Sequence, residues 1–337
     1  MKRIYLPLIL LLFIKCSLIN AQKEKFDFTV AFGSCNNQIR TNNLWDDIVQ
    51  VQPDVWIWGG DNIYSDTYDM SVLRSNYNLQ LGIDGYKKLR SMTPIMGTWD
   101  DHDYGKNDGG VEYKMKRESQ QLFLDFLGVA KNNARRKQEG VYTFKDFHTK
   151  KGSVRVIVLD TRYFRTGLTK ASGKKRYRPN KPGEGTILGA TQWKWLRQTL
   201  EDSKANFNIV VSSIQVLSGE HGFETWANFP AERDMLFHLI ANSGARGVIV
   251  LSGDRHISEF SKKESIMLPY PLIDFTSSGL THAYKNFSGE PNSFRVGEVV
   301  HTESFGVLRF NFGTNTINMQ MIGDNNEVLN SLSQTFK

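Results

Sequence analysis

Six apolar segments of the sequence are each followed by polar side chains, most of which commonly bind metals. Asp61 and Tyr64 come after the apolar run 55–58, separated from it by two glycines that allow a sharp backbone turn. The other positions are Cys35, Asp101 with His102, Asp160, Gln215, and Asp254 with His256. Carboxylate, thiolate, phenolate and imidazole groups form a mixed ligand set that exceeds the needs of one ion. The residues therefore predict a site for two metals roughly 3.5–4 Å apart, which would clamp the attacking and leaving oxygens of an in-line phosphoryl displacement.

Each of these residues, taken alone, also has a purely structural explanation. An Asp at the end of a strand often caps the next helix, which is the alternative for Asp101 and Asp160. A single histidine such as His256 is more often structural than a ligand. Six such positions in one chain favour a shared site, because the carboxyl ends of strands in open α/β sheets form ligand-binding edges.

Two common kinds of catalytic site have no signal in the sequence. There is no Gly-x-Ser-x-Gly stretch, which a serine nucleophile at a strand-to-helix turn would need. There is also no glycine-rich phosphate-binding loop of either nucleotide type. The sequence therefore argues against a serine hydrolase and against nucleotide-driven or hydride-transfer chemistry.

Strands and helices alternate along most of the chain. Strands are predicted over 28–32, 55–58, 141–147, 154–159, 207–211 and 247–251, with one more ending at Asp100-Asp101-His102-Asp103. Helices are predicted over 42–51, 118–127, 190–202 and 230–242, and over 69–92 with a break near Gly82. The later part is rich in strands, over 272–276, 305–312 and 316–321. No repeat or long linker divides the sequence, so we predict one α/β domain over residues 22–337.

The segment 166–187 is rich in Gly, Pro, Lys and Arg. Such a composition is typical of a solvated loop. The alternative interpretation is a basic flap that covers an anionic substrate. The solvated loop is the favoured interpretation.

The N-terminus has the parts of a secretory signal. Lys2 and Arg3 precede the apolar run 4–14, and a small residue, Ala21, follows it. We predict a signal peptide over residues 1–21, cleaved near Ala21, and export to the periplasm or the exterior. Lipid attachment at Cys16 is the less favoured alternative, because a lysine precedes it. No later stretch of the sequence is long and apolar enough to cross a bilayer.

Cleavage would change both the charge and the cysteine content. It removes three basic residues and no acidic one, so the formal net charge falls from +7 to +4. That charge suits anionic substrates but is low for a dedicated nucleic-acid-binding protein. Cys35 would remain as the single thiol in an oxidising compartment. It is predicted to be a buried small residue, a link between chains, a nucleophile or a metal ligand.

The motifs together resemble the alkaline phosphatase D (PhoD-like) family of the calcineurin-like metallophosphoesterases. They are Gly33-Ser34-Cys35, Gly60-Asp61-Asn62-Ile63-Tyr64, Trp99-Asp100-Asp101-His102-Asp103, Leu159-Asp160-Thr161-Arg162, Trp226-Ala227-Asn228-Phe229-Pro230-Ala231-Glu232-Arg233 and Ser252-Gly253-Asp254-Arg255-His256. The resemblance covers about residues 26–262 in the family's order. It implies a four-layer α/β/β/α sandwich, phosphoesterase activity on monoesters and often diesters, and a site of ferric iron with calcium.

The resemblance assigns the metal ligands residue by residue. Cys35 would bind iron as a thiolate, and Tyr64 would bind it as tyrosinate. Asp61 would bridge the two ions. Asp254 and His256 replace the final Gly-His-x-His of the superfamily, and the hard carboxylate of Asp254 favours calcium at the second position.

Three further roles follow from the same resemblance. Asp101 occupies the place of an Asn ligand, with Asp100 as the alternative if the register differs by one. His102 would contact the phosphate or the leaving-group oxygen. Arg162 would touch the phosphoryl group or pair with Asp160, and the pair is the favoured alternative.

Two features depart from the family pattern. Gln215 stands where many relatives have a metal-binding histidine. The chain is short, so we expect it to lack the added N-terminal domain of the larger members. A more open site would then admit diesters, including nucleic-acid diesters or phospholipid head groups, besides small phosphate esters.

The sequence thus predicts an exported phosphoesterase with Fe3+ and Ca2+, in which a metal-bound hydroxide attacks phosphorus in line. The alternative is a non-catalytic protein on the same fold that binds phosphate or anionic polymers. A third hypothesis is a structural exported domain linked between chains through Cys35. No obligate protein partner is expected.

Overall fold

Two large β-sheets lie face to face in this computed structural model, which describes residues 26–265 and 267–336. The strands are β1 (Phe28–Gly33), β2 (Val55–Gly59), β3 (Ile95–Thr98), β4 (Thr143–His148), β5 (Ser153–Val158), β6 (Thr169–Lys170), β7 (Tyr177–Arg178), β8 (Phe207–Val211), β9 (Val248–Ser252), β10 (Ser258–Lys263), β11 (Leu272–Ser277), β12 (Arg295–Val300), β13 (Phe305–Asn311), β14 (Thr316–Ile322) and β15 (Val328–Thr335). The helices are α1 (Trp45–Val51), α2 (Met70–Gly82), α3 (Asp84–Met92), α4 (Asp101–Tyr104), α5 (Lys116–Phe126), α6 (Gly189–Glu201) and α7 (Pro230–Asn242). The predicted signal peptide lies outside the described residues.

The strand order brings the predicted site residues to related edges of the two sheets. The first sheet has the order β15-β14-β13-β1-β2-β3, with β1, β2 and β3 parallel. The second has the order β12-β10-β11-β9-β8-β5-β4, with β11, β9, β8 and β5 parallel. The parallel strands of each sheet therefore end at a common edge.

Alternate side chains of the central strands pack into two different apolar clusters, because successive residues of a strand point to opposite faces of the sheet. In β2, Val55 and Ile57 are buried in the core between the sheets, whereas Trp56 and Trp58 belong to a second apolar cluster with the helices of the first sheet. In β9, Ile249 likewise belongs to the inner core and its neighbours Val248 and Val250 to the cluster of α6 and α7. Each central strand is thus buried on both faces.

Helices cover the outer face of each sheet. Leu73 of α2 and Leu122 of α5 are buried in the outer cluster of the first sheet. Leu196 of α6 and Leu236 of α7 are buried in the outer cluster of the second sheet. The four-layer α/β/β/α sandwich that the resemblance implied is confirmed. No helix among residues 26–265 and 267–336 has the length and apolar character needed to cross a membrane.

The break predicted near Gly82 in the helix over 69–92 is confirmed, since α2 ends at Gly82, α3 begins at Asp84, and Ile83 between them is extended (φ −69°, ψ 124°). The basic segment 166–187 contains the short β6–β7 hairpin and is otherwise irregular.

Candidate metal centre

The edges of the two sheets meet where the predicted ligands lie. Cys35, Asp61 and Asp101 follow β1, β2 and β3 of the first sheet, and Asp254 and His256 follow β9 of the second. The ligand-carrying turns therefore come from both sheets.

Two glycines allow these turns to approach each other closely. A Cβ atom on Gly60 would lie 2.6 Å from Cβ of Asp100, and one on Gly253 would lie 2.5 Å from Oγ of Ser34. Gly60 also has φ of 100°, which L side chains rarely adopt. A side chain at either glycine would push the strand ends apart.

Four of the predicted ligands have left-handed backbone conformations. The φ angles are 56° for Cys35, 49° for Asp61, 70° for Asp254 and 55° for His256. Non-glycine residues in this region cost about 1–3 kcal/mol each and persist where surrounding structure holds them. Such strain is concentrated at this edge of the sheets, as it is at many functional sites.

The donor atoms form three overlapping groups in which all atoms lie within 4.8 Å of one another. The groups are Cys35 with Asp61 and His256; Asp61 with Asp101 and His102; and Asp61 with Asp100, Asp101 and Asp254. Asp61 belongs to all three. It is therefore the residue best placed to contact two ions at once.

The mixed-donor side of the centre comprises Cys35, Asp61, Tyr64 and His256. The Tyr64 hydroxyl donates to Asp61 Oδ2 at 3.2 Å and lies 3.3 Å from Nε2 of His256. Cys35 Sγ lies 3.5 Å from the same Asp61 oxygen. Sulfur, phenol, imidazole and carboxylate donors thus surround one point.

Neighbouring groups set the orientation of the His256 ring. Its Nδ1 lies 2.9 Å from the backbone oxygen of His282. A carbonyl oxygen only accepts hydrogen bonds, so Nδ1 carries the proton and Nε2 offers a lone pair toward the mixed-donor side. Burial lowers the pKa of His256. The ring is therefore held in the neutral tautomer that suits a metal ligand.

The oxygen side of the centre comprises Asp61, Asp100, Asp101 and Asp254. Asp100 Oδ1 accepts from Arg162 Nε and from Ser213 Oγ, each at 2.5 Å. Asp100 Oδ2 is buried and has no hydrogen-bond partner among the described residues. A buried carboxylate oxygen without a partner is costly unless a further group binds it.

Asp101 is occupied differently. Its Oδ1 accepts from the His102 backbone N–H at 2.9 Å, and its Oδ2 accepts from the Asp108 backbone N–H at 2.6 Å and from Asn107 Nδ2 at 3.2 Å. The capping explanation for Asp101 is wrong, because the N-cap of α4 is Asp100 and Asp101 is the first helical residue; its carboxylate instead holds the backbone at His102 and Asp108.

The crowding of carboxylates strongly opposes ionisation in the absence of added positive charge. Burial, followed by repulsion from Asp100, raises the pKa of Asp254 to about 8. Burial raises the pKa of Asp61 well above its ordinary value, and Cys35 and Asp101 add to the rise. Burial likewise raises the pKa of the Cys35 thiol to about 11. A bound cation would reverse these shifts, so the donor set fits metal ions and not a metal-free hydrogen-bonding network.

His102 lies at the edge of the centre beside Asp66. Its Nδ1 is 2.6 Å from Asp66 Oδ2, and its ring centroid is 4.3 Å from that of Tyr64. Burial lowers the pKa of His102, but the carboxylates of Asp61, Asp66 and Asp101 outweigh it and raise that pKa to about 11. Without a bound cation, these carboxylates therefore favour the protonated imidazole.

Arg162 does not lie where the sequence predicted. Its side chain is fully buried, with Nε bonded to Asp100 and Nη1 2.7 Å from Glu224 Oε2. The predicted side-chain pair with Asp160 is wrong, because Asp160 Oδ1 accepts instead from the Arg162 backbone N–H and from Trp99 Nε1. The predicted contact with a substrate is not supported either, since the guanidinium has no exposed surface.

Two other predicted strand-end residues, Asp160 and Gln215, form hydrogen bonds within the protein. Asp160 also accepts from the Val141 backbone N–H at 2.8 Å, as expected of a capping carboxylate. Gln215 donates through Nε2 to Glu259 at 2.8 Å and to Thr276 at 2.9 Å. Asp160 belongs to none of the three metal-ligating groups found in the part of the chain that the structure describes.

Sequence reasoning missed the roles of Asn62 and Asp66. Asn62 Nδ2 donates to Asp103 Oδ2 at 2.6 Å, and Asp103 Oδ1 accepts from the Asp61 backbone N–H at 3.1 Å. Asp66 orients His102. The Gly-Asp-x-x-Tyr spacing gives no signal for either contact, since both partners come from the next strand end.

A cavity of about 180 Å³ opens over the oxygen side. Asp101, His102 and Asp254 line it together with Arg176 from the basic segment. The Arg176 guanidinium is 2.6 Å from Asp108 Oδ2. The segment is thus an irregular loop that also brings one cation to the cavity.

Comparison with known proteins agrees with this geometry. Residues 29–283 match the family described as PhoD-like phosphatase. Alkaline phosphatase D of Bacillus subtilis (strain 168) is 30% identical over 114 residues, which are 30% of this chain and 19% of the relative. The alignment therefore spans about a fifth of that protein's length.

Solved structures share the fold at low sequence identity. A structure of PhoD matches with a TM-score of 0.71 and 17% identity, over 91% of this chain and 68% of the other. The anchor protein GAP50 of Plasmodium gives 0.60 and 15%, over 93% and 90%. A dimetal phosphatase from Danio rerio gives 0.56 and 12%, over 93% and 100%. At these identities the likeness establishes the fold alone.

Proposed function

The chain belongs to the PhoD-like phosphatase family, and on that premise we propose that it is a metal-dependent phosphoesterase. One observation carries the proposal. Donor atoms of Asp61, Asp100, Asp101 and Asp254 lie within 4.8 Å of one another at the meeting edge of the two sheets. A structural domain gains nothing from burying four carboxylates together, whereas a site that holds cations requires them.

We assign ferric iron to the mixed-donor side and calcium to the oxygen side. Cys35, Tyr64 and His256 supply the sulfur, phenolate and imidazole donors that suit a transition metal. Carboxylate oxygens are the donors that calcium prefers, and Asp254 is the carboxylate of the second sheet. Asp61, common to both sides, would contact both ions.

The resemblance left the metal ligand at the β3 strand end open between Asp100 and Asp101, and we assign it to Asp100. Its Oδ2 is buried without a partner among residues 26–265 and 267–336, while Arg162 and Ser213 hold Oδ1 in place. Both oxygens of Asp101 already accept backbone hydrogen bonds. Asp101 therefore serves as a second, weaker ligand.

The reaction is hydrolysis: a water oxygen forms a bond to phosphorus, the ester P–O bond breaks, and the alcohol leaves with a proton. When bound, the two ions supply Lewis-acid activation of water and neutralise the phosphoryl charge. Arg176 binds a phosphoryl oxygen from the cavity wall. His102, oriented by Asp66, donates the proton to the leaving oxygen.

The substrates are phosphomonoesters, phosphodiesters or both. The cavity over the oxygen side is open to solvent along Arg176 and His102, so a second ester arm has room to leave it. Nucleic-acid diesters and phospholipid head groups are the candidate substrates of larger size. We also propose export after cleavage near Ala21, which N-terminal sequencing of the mature protein would test; an N-terminus that retains residues 1–21 would contradict it.

The decisive experiment measures turnover of p-nitrophenyl phosphate and bis-p-nitrophenyl phosphate by the purified protein. We expect activity that is lost with a chelator and restored by adding iron and calcium together. Metal analysis of the native protein should find both elements. Full activity in demonstrably metal-free protein would overturn the proposal.

A non-catalytic anion-binding role needs a direct comparison, since the related fold of GAP50 is described as an anchor. The basic segment 166–187 is the feature that favours it. Metal-loaded protein that binds a phosphodiester but turns over neither nitrophenyl ester would support this role instead of the enzyme.

A further inference from the structure

A second cavity lies beside the one over the oxygen side. It has a volume of about 440 Å³, within the usual range for small-molecule sites. Phe223, Arg255 and His256 line both cavities. A molecule whose phosphate lies over the carboxylates can therefore extend its organic part into the neighbouring space.

Aromatic side chains give this second cavity its character. Phe223 is 39% exposed and Tyr284 is 46% exposed, although both are large and apolar. The His282 ring completes the wall between them and the metal centre, with its centroid 4.5 Å from that of His256. Exposed aromatic faces in a concave site are suited to stacking against a flat ring.

One of the two arginines that line this cavity is already paired. Arg255 Nη2 lies 2.9 Å from both carboxylate oxygens of Glu290, and its guanidinium carbon lies 4.1 Å from the Phe223 ring centroid. The Arg255 side chain is 9% exposed. The other arginine, Arg40, is exposed and adds a positive charge to the wall. The aromatic side chains, and not the charge of the cavity, therefore distinguish it from the site over the carboxylates.

The wall of the cavity is tied to a metal ligand. The Tyr284 backbone N–H donates to the His256 backbone oxygen at 2.7 Å, and the His282 carbonyl accepts from the His256 ring. The position of the aromatic wall relative to the reacting phosphate is therefore set by the same loop that orients His256.

We propose that this cavity binds the leaving group of the substrate, and that the leaving group carries a planar aromatic ring, as aryl or nucleoside phosphates do. The proposal rests on the phosphoesterase function proposed above and specifies its substrate class. Phe223 and Tyr284 are the specificity-determining residues.

The test compares phenyl phosphate with glycerol 3-phosphate, which differ in the organic group and not in the phosphate. Phe223→Leu keeps an apolar side chain and removes the ring. We expect it to lower the ratio of kcat/KM for phenyl phosphate to that for glycerol 3-phosphate by about tenfold, comparable with the loss of one stacking aromatic. An unchanged ratio, including an equal fall on both esters, would overturn the proposal.

Phe144→Leu is the matched control. Phe144 is 42% exposed and has the Arg155 guanidinium 4.5 Å from its ring centroid, but it lies on the edge strand β4 and lines neither cavity. Phe144→Leu should have the same ratio of kcat/KM for the two esters as the wild type. A fall in this ratio equal to that of Phe223→Leu would overturn the assignment of specificity to Phe223.

Failure of the enzyme proposal is distinguishable from failure of this one. If the metal-loaded wild type hydrolyses neither ester, the enzyme proposal fails, and equilibrium dialysis with phenyl phosphate then tests the cavity. About tenfold weaker binding by Phe223→Leu would support the aromatic site. Equal binding by wild type and variant would overturn it.

Discussion

Nδ1 of His102 lies 2.6 Å from Oδ2 of Asp66, across a separation of 36 residues in the sequence. The His102 backbone N–H also donates to Asp61 Oδ1 at 3.3 Å. The backbone of His102 is thereby tied to the candidate bridging carboxylate, and its ring is tied to Asp66. Because Nδ1 faces Asp66, Nε2 points away from Asp66 and is the ring nitrogen that can reach a leaving oxygen.

Asp66→Asn should reduce proton donation without removing His102. We expect kcat to fall roughly ten- to a hundredfold on glycerol 3-phosphate and much less on p-nitrophenyl phosphate, whose leaving group needs no proton. His102→Gln should show the same pattern with a larger fall, about 10²–10⁴ on the poor leaving group. The measurement is kcat for the two esters at saturation.

Asp69→Asn is the control for the change of charge near this turn. Asp69 caps α2 by accepting from the Ser71 backbone N–H and makes no contact with His102 among the described residues. It should leave the preference between esters unchanged. Equal losses on both esters in Asp66→Asn would contradict a role in proton donation.

Substitution of Arg162 should lower the stability of the protein, whereas substitution of Arg176 should weaken substrate binding. Arg162 is fully buried between Asp100 and Glu224, so Arg162→Met leaves the buried Asp100 carboxylate without its cation, whereas Glu224 keeps its pair with Arg165. Loss of one partner of a buried pair costs about 3–5 kcal/mol. We expect that decrease in the free energy of unfolding, measured by urea denaturation, together with weaker metal binding.

Arg176→Ala should instead raise KM and leave stability nearly unchanged. The Arg176 side chain is 47% exposed, and an exposed ion pair such as that with Asp108 is worth about 0–1 kcal/mol. Loss of a charged hydrogen bond to the phosphoryl group should raise KM about tenfold or more. Unchanged KM on both nitrophenyl esters would exclude Arg176 from substrate binding.

The sequence predicted the strand ends of this site well but not the contacts between them. Cys35, Asp61, Asp101 and Asp254 were found because each follows an apolar run, and parallel strands carry such positions to one edge. This part of the site depends on local pattern and on a general rule of topology.

The side-chain partners depend on information that local pattern lacks. Arg162 was predicted to bind Asp160, two residues away, yet it binds Asp100, 62 residues away. The choice is made by the packing of the two sheets, which brings the β3 and β5 strand ends together. For the same reason, the local sequence pattern gives no signal for the contact of Asp66 with His102. It likewise gives no signal that Arg176, within the predicted solvated loop 166–187, lines the cavity.

Tyr64→Phe should remove the visible absorption expected of ferric tyrosinate. Burial and the nearby Asp61 carboxylate hold the pKa of Tyr64 well above its ordinary value, so the phenol ionises only with help from a cation. We expect the wild type to gain colour and release protons when ferric iron is added, and Tyr64→Phe to do neither to the same extent. Tyr68→Phe, at a 55% exposed tyrosine, should behave as the wild type. A visible band of equal strength in Tyr64→Phe would refute the ligand assignment.

A pH-dependent stability difference should arise at Asp274, in β11 and apart from the metal ligands. Its Oδ2 accepts from the backbone N–H groups of Val216 and Leu217, and its Oδ1 accepts from Ser252 Oγ at 2.6 Å. Burial is the main cause that raises the pKa of Asp274 from 3.8 to about 6. The folded state therefore binds this proton more tightly than the unfolded state does.

The sign follows from linkage. The stabilisation by the neutral carboxyl is complete below about pH 3.8 and is lost as the pH rises through about 6. Asp274→Asn stays neutral, and its oxygen can still accept from Val216 and Leu217 while its NH2 donates to Ser252 Oγ. Relative to this variant, the wild type should lose about 2 kcal/mol of unfolding free energy between pH 4 and pH 7.

Urea denaturation at several pH values, with metal content held equal, measures this difference. Asp84→Asn is the control, because the Asp84 side chain is 97% exposed and its pair with Lys87 contributes little. Its stability should follow the wild type across the range. If the curves for wild type and Asp274→Asn run parallel from pH 4 to pH 7, the Asp274 carboxyl does not titrate in this interval, and its three hydrogen bonds offset the cost of burying the charge.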